Sequence, residues 1–180
     1  SRMTVPNSAT MLLVGDSVIR FINAKRLAPR HEHLFKICVP GITVNDLYGW
    51  LLSVPTNRYI KDIIVHVGIN SCPSGPVSQE TWTELIALGL KRFPKARMAF
   101  SSILPARGKH SFNNSIAPSN RCLRAACDQF SITFVDHFPT FAADLGLYTD
   151  INHPNARGTA CLAENLKRLW QTHCRLEPKS

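Results

Sequence analysis

The sequence predicts a three-layer α/β/α sandwich around a five-stranded, mostly parallel central sheet with flavodoxin-like connections. Two observations predict it. Short apolar runs recur along the chain, several continuous enough (Met11-Leu12-Leu13-Val14 and Ile63-Ile64-Val65) to be strands covered on both faces. Helix-length segments with apolar residues at helical spacing alternate with those runs, the pattern of a sheet wrapped by crossover helices.

The strands read as Thr10–Val14, Leu34–Val39, Ile60–Val67, Arg97–Ile103 and Ile132–Val135. The first helical segment, 17–27, opens at Ser17. The second, 43–52, has Thr43 as cap for Val44, Leu47, Leu51 and Leu52. The third, 78–92, begins Ser78-x-Glu80 and carries Trp82, Leu85, Ile86 and Leu90 on one face. The fourth, 119–130, starts at Ser119, and the last, 156–173, aligns Leu162, Leu166 and Leu169. Two connections, Ser71–Val77 and Pro105–Asn114, are longer than the turns need. No repeat or linker divides the chain, so 10–175 reads as one domain. Residues 1–9 read as an N-terminal tail, with Ser1-Arg2-Met3 a candidate cloning remnant, and 176–180 as a C-terminal tail.

At 180 residues a single core of this kind buries roughly 70% of the unfolded surface. Hydrophobic residues make up 44% of the chain, which excludes a disordered polypeptide. No apolar run reaches the ~20 residues of a membrane span, and no cationic start leads into a cleavable leader. The six cysteines, at 38, 72, 122, 127, 161 and 174, form no C-x-x-C and no metal-type spacing with histidine. Scattered thiols in a chain with its own core read as reduced cysteines of an intracellular, cytoplasmic protein. Cys72, in a Pro/Gly-rich loop, is the thiol expected to be at risk.

The formal net charge is +9, unevenly spread. Between Glu84 and Asp128 stand Lys91, Arg92, Lys95, Arg97, Arg107, Lys109, Arg121 and Arg124 with no acidic residue. Arg20, Lys25, Arg26, Arg30 and Lys36 form a second cluster relieved by Glu32. Such surfaces attract nucleic acid or anionic membrane, and they equally serve solubility.

Chemistry concentrates where strands end. Ser17 follows Gly15-Asp16 at the end of the first strand, where a helix dipole favours negative charge. Far downstream, Asp150 and His153 stand three apart in Asp150-Ile151-Asn152-His153-Pro154, a spacing that lets the carboxylate hold Nδ1–H and leave Nε2 as a base. Serine hydroxyl, imidazole and carboxylate are the parts of an activated nucleophile. Gly41 offers an unshielded N–H and Asn70 a side-chain amide for a developing oxyanion. Each signal alone is ordinary cap or turn chemistry. Their joint occurrence in this order, each at a strand's carboxyl end, marks one site.

Gly15-Asp16-Ser17, Gly41, Gly68-x-Asn70 and Asp150-x-x-His153 resemble the four sequence blocks of the SGNH (GDSL-type) hydrolases, over residues 10 to 172. The resemblance includes Leu104-Pro105 and His153-Pro154-Asn155-x-x-Gly158. It implies Ser17 as nucleophile, His153 as base and Asp150 as its partner. Ser17 N–H, Gly41 N–H and the Asn70 amide would form the oxyanion hole. Asp16, Ser71 and His110 are expected near the substrate. Ser71 departs from the family's Gly-x-Asn-Asp block, which puts loop structure in question, and Val18 stands where the family's short name has Leu.

No metal or organic cofactor is implied. Within the family, the basic balance resembles the esterase domains of first open-reading-frame proteins in vertebrate LINE-type retrotransposons, which would make the chain part of a larger nucleoprotein-forming protein. The resulting expectation is a serine esterase acting on short acyl esters, lipid esters included. The competing reading is an RNA- or anionic-membrane-binding module on a hydrolase scaffold with little turnover.

Overall fold

The structure, a computed structural model, describes residues 3–176. Five strands, β1 (Met11–Gly15), β2 (Leu34–Cys38), β3 (Asp62–His66), β4 (Arg97–Ser101) and β5 (Thr133–Val135), form one sheet in the order β2-β1-β3-β4-β5. Every pairing is parallel, with Met11 opposite both Leu34 and Asp62. The sheet is thus wholly rather than mostly parallel.

Side-chain alternation splits the core in two. Leu12, Val14, Ile63, Val65, Met98 and Phe100 face one layer, while Met11, Leu13, Ile64 and Ala99 face the other. The first layer is covered by α2 (Val44–Ser53), α3 (Gln79–Arg92) and α4 (Asn113–Gln129). The second is covered by α1 (Ala24–Leu27), α5 (Phe138–Ala143) and α6 (Ala156–Leu176), with Leu27, Phe141, Leu162 and Leu166 buried. No helix among the described residues is long and apolar enough to cross a membrane.

Local chemistry explains where elements depart from expectation. The segment 17–27 is not one helix. A 3-10 turn at Ser17–Ile19 breaks off because Lys36 Nζ takes the carbonyls of Arg20 and Ile22, and Asn23 starts α1 afresh by accepting Arg26 N–H. Helix α4 begins at Asn113, six residues before Ser119, and runs through Pro118. Asn113 anchors its first turn by binding Ala106 N–H and the carbonyls of Ala106 and Gly108.

A 3-10 turn over Ile69–Ser74 runs into the Ser71–Val77 connection and buries Cys72, so that thiol is shielded rather than at risk. Residues 3–9, read as a tail, pack: Ala9 is buried and the Met3 carbonyl accepts the Trp50 indole N–H. Ser1, Arg2 and residues 177–180 of the two proposed tails lie outside the described residues.

The basic run is partly structural. Arg92 caps α2 through the carbonyls of Leu51 and Leu52, Arg97 pairs with Asp62, and Arg124 pairs with Asp136 while lying over the Phe134 ring. Lys91, Lys95, Lys109 and Arg121 are exposed and have no ion-pair partner among the described residues.

Candidate active site

Strand order sets the place. The chain passes from β1 to β2 on one side and returns to β3 on the other, so the carboxyl ends of β1 and β3 open a crevice at the reversal of strand order. Ser17 leaves β1 there, Asn70 follows β3, and the segment preceding α6 closes over them.

Ser17 is the first residue of its 3-10 turn, so its N–H has no partner within the turn. Asp16 caps the turn with Oδ1 on Val18 N–H at 3.0 Å. Ser17 Oγ stands 3.0 Å from His153 Nε2. His153 Nδ1 faces both Asp150 oxygens at 3.0 and 2.9 Å, and Asp150 Oδ1 also accepts the N–H groups of Asn152 and His153 at 3.0 and 2.8 Å. The chain's two extremities therefore meet in one hydrogen-bonded line from hydroxyl to imidazole to carboxylate. Burial pushes the Asp150 carboxyl up, but these backbone and imidazole bonds outweigh it and hold the group below its ordinary value. The site is shallow, with the His153 and Asp150 side chains 41% and 54% exposed.

The segment carrying this pair is pinned from both ends. Thr149 N–H and the His153 carbonyl bond across it at 2.8 Å. The Tyr148 hydroxyl donates to the Pro105 carbonyl, and Arg107 N–H donates to the Ile151 carbonyl at 2.7 Å. Pro154, buried and bridged to Tyr148, starts the approach to α6.

Gly41 occupies the third position of the turn Val39-Pro40-Gly41-Ile42, closed by Ile42 N–H on the Val39 carbonyl, with φ of +80°. Proline second and a positive-φ residue third define a type II turn, which is why glycine stands there. The turn's own bond is made by Ile42 N–H, and Gly41 N–H has no partner among the described residues. Asn70 Nδ2 donates one hydrogen to the Ile42 carbonyl at 3.1 Å, and its second has no partner among the described residues. Val39 N–H binds the Gly15 carbonyl and the Cys38 thiol donates to the Asp16 carbonyl. The three loops bearing Ser17, Gly41 and Asn70 are therefore stitched to one another.

The residues expected near the substrate also have structural roles. Asp16 is fully buried and acts on the backbone of the turn. Ser71 Oγ accepts Val44 N–H at 3.0 Å, adding a second cap to α2 beside the Thr43–Asp46 capping box. Its hydroxyl thus ties the loop after β3 to the start of α2. His110 lies on the loop after β4, its Nδ1 accepting Phe112 N–H and its ring 4.4 Å from that of Phe112.

A second serine–histidine contact, Ser101 with His66 and His137, is sealed in the core, with all three residues at most 1% exposed. No ester reaches it. No local sequence pattern links 66, 101 and 137, so only the fold brings the three together.

No protein-family model matches this sequence, and no curated protein matches it. Solved structures do. A member of the lipolytic G-D-S-L family from Veillonella parvula superposes with a TM-score of 0.71 at 16% identity, covering 89% of this chain and 97% of that one. A mutant of an acetyl-xylooligosaccharide esterase from Geobacillus gives a TM-score of 0.70 at 15% identity, over 92% of this chain and 95% of that one. The esterase domain of a zebrafish retrotransposon's first open-reading-frame protein is a looser match, at TM-score 0.48 and 22% identity over 91% of this chain and 99% of that one. The chain has the SGNH hydrolase fold.

Proposed function

We propose that this chain is a serine esterase that hydrolyses short, acetyl-like acyl esters, lipid esters included, through an acyl-enzyme on Ser17. The observation that carries the reading is the 3.0 Å approach of Ser17 Oγ to His153 Nε2, on a ring whose other nitrogen Asp150 holds.

In that reading His153 Nε2 takes the hydroxyl proton as Oγ bonds the ester carbon. The carbonyl oxygen becomes an oxyanion facing Ser17 N–H, Gly41 N–H and the free Asn70 hydrogen, each donor worth ~3–4 kcal/mol when well aimed. Collapse breaks the bond to the alcohol, which leaves with the proton from Nε2. Water then gives a proton to Nε2 and attacks the acyl carbon, and Ser17 departs with that proton. Asp150 remains ionised throughout, steadying the imidazolium. The open, half-exposed site suits a small acyl group rather than a long chain in a tunnel.

The test is hydrolysis of aryl acetates, longer aryl esters, and acetylated lipids and sugars by wild type and Ser17→Ala. Ser17→Ala is expected to lose on the order of 10⁴-fold or more in kcat, and a serine-trapping phosphonate to label Ser17. Equal rates in the two proteins would overturn the assignment.

A further inference from the structure

Beneath the nucleophile runs a line of buried polar side chains that this reaction leaves unused. His66 Nδ1 lies 2.7 Å from Ser101 Oγ, and Ser101 Oγ lies 2.6 Å from His137 Nε2. His137 Nδ1 lies 3.0 Å from the side-chain nitrogen of Asn165, which also reaches Thr140 Oγ1. Donor chemistry gives the line a direction. An amide NH₂ only donates, so His137 Nδ1 accepts and the ring's proton sits on Nε2. That N–H donates to Ser101 Oγ, whose single proton then goes to His66 Nδ1. His66 must therefore carry its own ring proton on Nε2. Burial pulls both imidazoles down, His66 to about 4 and His137 to about 3, so both rings are neutral in this arrangement.

Next to this line lies an acceptor in need of a donor. Asp16 spends Oδ1 on Val18 N–H, while its buried Oδ2 accepts from no group among the described residues. Asp16 and His66 are neighbours across the sheet. Asp16 N–H binds the His66 carbonyl at 3.1 Å, and Gly15 sits so close that a methyl there would fall 2.3 Å from that carbonyl oxygen. Burial raises the Asp16 carboxyl above its ordinary value, against the pull of His66, of Val18 N–H and of His153. The Cys38 thiol from β2 faces the Asp16 carbonyl.

We propose that Asp16 Oδ2 is the acceptor for the His66 Nε2 proton across one water, and that this pairing makes Asp16 the positioning residue of the Ser17 turn. A chain of side chains from Asn165 on α6 then ends in the cap beneath the nucleophile. Aspartate is required because both of its oxygens must accept, one from Val18 N–H and one from the ring through that water. Asparagine offers a single acceptor. The catalytic consequence rests on the esterase reading above; the pairing itself does not.

The experiment is ring nitrogen-15 NMR of the histidine-labelled full chain near neutral pH. Wild type is expected to show His66 and His137 both protonated on Nε2. In Asp16→Asn, the lone oxygen stays on Val18 N–H and the amide turns toward His66, so the His66 proton moves to Nδ1 while His137 keeps its tautomer. A wild-type His66 protonated on Nδ1 would overturn the pairing, even if Asp16→Asn does not fold. An unchanged His66 in a folded Asp16→Asn would overturn it as well.

The kinetic arm expects Asp16→Asn to lose on the order of 10- to 100-fold in kcat with KM unchanged. A tautomer switch without a change in kcat would overturn the positioning role. Wild type without esterase activity would count against the esterase reading and leave the NMR result standing.

Discussion

Arg107 donates its backbone N–H to the Ile151 carbonyl at 2.7 Å, so the loop after β4 holds the segment that bears Asp150 and His153. The contribution is the backbone's and not the guanidinium's. Arg107→Ala should leave esterase activity within twofold or so, since surface side chains away from special features have small effects. Arg107→Pro removes the donor and should lower kcat on the order of 10- to 100-fold by letting the imidazole drift. Parallel melting curves separate that drift from unfolding. Equal kcat values for the two variants would show that the tether does not position His153.

In the proposed esterase Asn70 divides its amide between structure and chemistry, with one hydrogen on the Ile42 carbonyl and the other offered to the oxyanion. Asn70→Ala should lower kcat by about 10²- to 10³-fold with KM little changed, because an oxyanion donor acts only in the transition state. The lost bond to Ile42 should cost stability by about 1 kcal/mol. Loss in KM alone would place Asn70 in ground-state binding instead.

The layers and the site were legible in the sequence to different depths. Continuous apolar runs at β1 and β3 announced buried parallel strands, and the strand-end placement of Ser17, Gly41, Asn70 and Asp150–His153 announced a shared edge, because parallel topology forces successive carboxyl ends together. The start of α4 was hidden because Ser119 reads as the helix start, whereas the bonds that carry the helix back to Asn113 come from Ala106 and Gly108 in the connection after β4. The break in 17–27 was hidden for a similar reason, since the side chain that ends the turn, Lys36, belongs to β2. Ser71 looked like a gap in a motif until its hydroxyl was seen on Val44. Where a residue's role is set by a partner outside its own element, periodicity holds no record of it.

The cations of the basic run should part company on mutation. Arg92 holds the last carbonyls of α2 at 2.7 and 3.0 Å, where positive charge also suits the helix dipole. Arg92→Ala should destabilise the fold by about 2 kcal/mol. Lys91→Ala, one residue earlier and exposed, should fall within roughly 0.5 kcal/mol of wild type. Chemical denaturation of the two variants reads the difference. Matching midpoints would mean that Arg92's bonds add nothing beyond what solvent supplies.

The two buried imidazoles make the fold acid-sensitive in a defined window. His66 and His137 titrate at about 4 and about 3 in the folded chain, with burial the main cause in each, against an unfolded value of 6.5. A folded value depressed below the unfolded one means that the unfolded chain binds more protons between the two, so stability is fully present above pH 6.5 and declines as pH falls toward 4. Each ring can remove up to about 1.4 kcal/mol per pH unit in that range. Asp16, raised by burial, works in the opposite sense above its unfolded value, but one carboxyl stands against two rings. Unfolding midpoints measured from pH 7 down to 4 should therefore drop steeply, and His137→Gln should flatten the slope while lowering stability near neutral pH through the lost bond to Ser101. A midpoint independent of pH across that range would mean that the rings are not held neutral in the core.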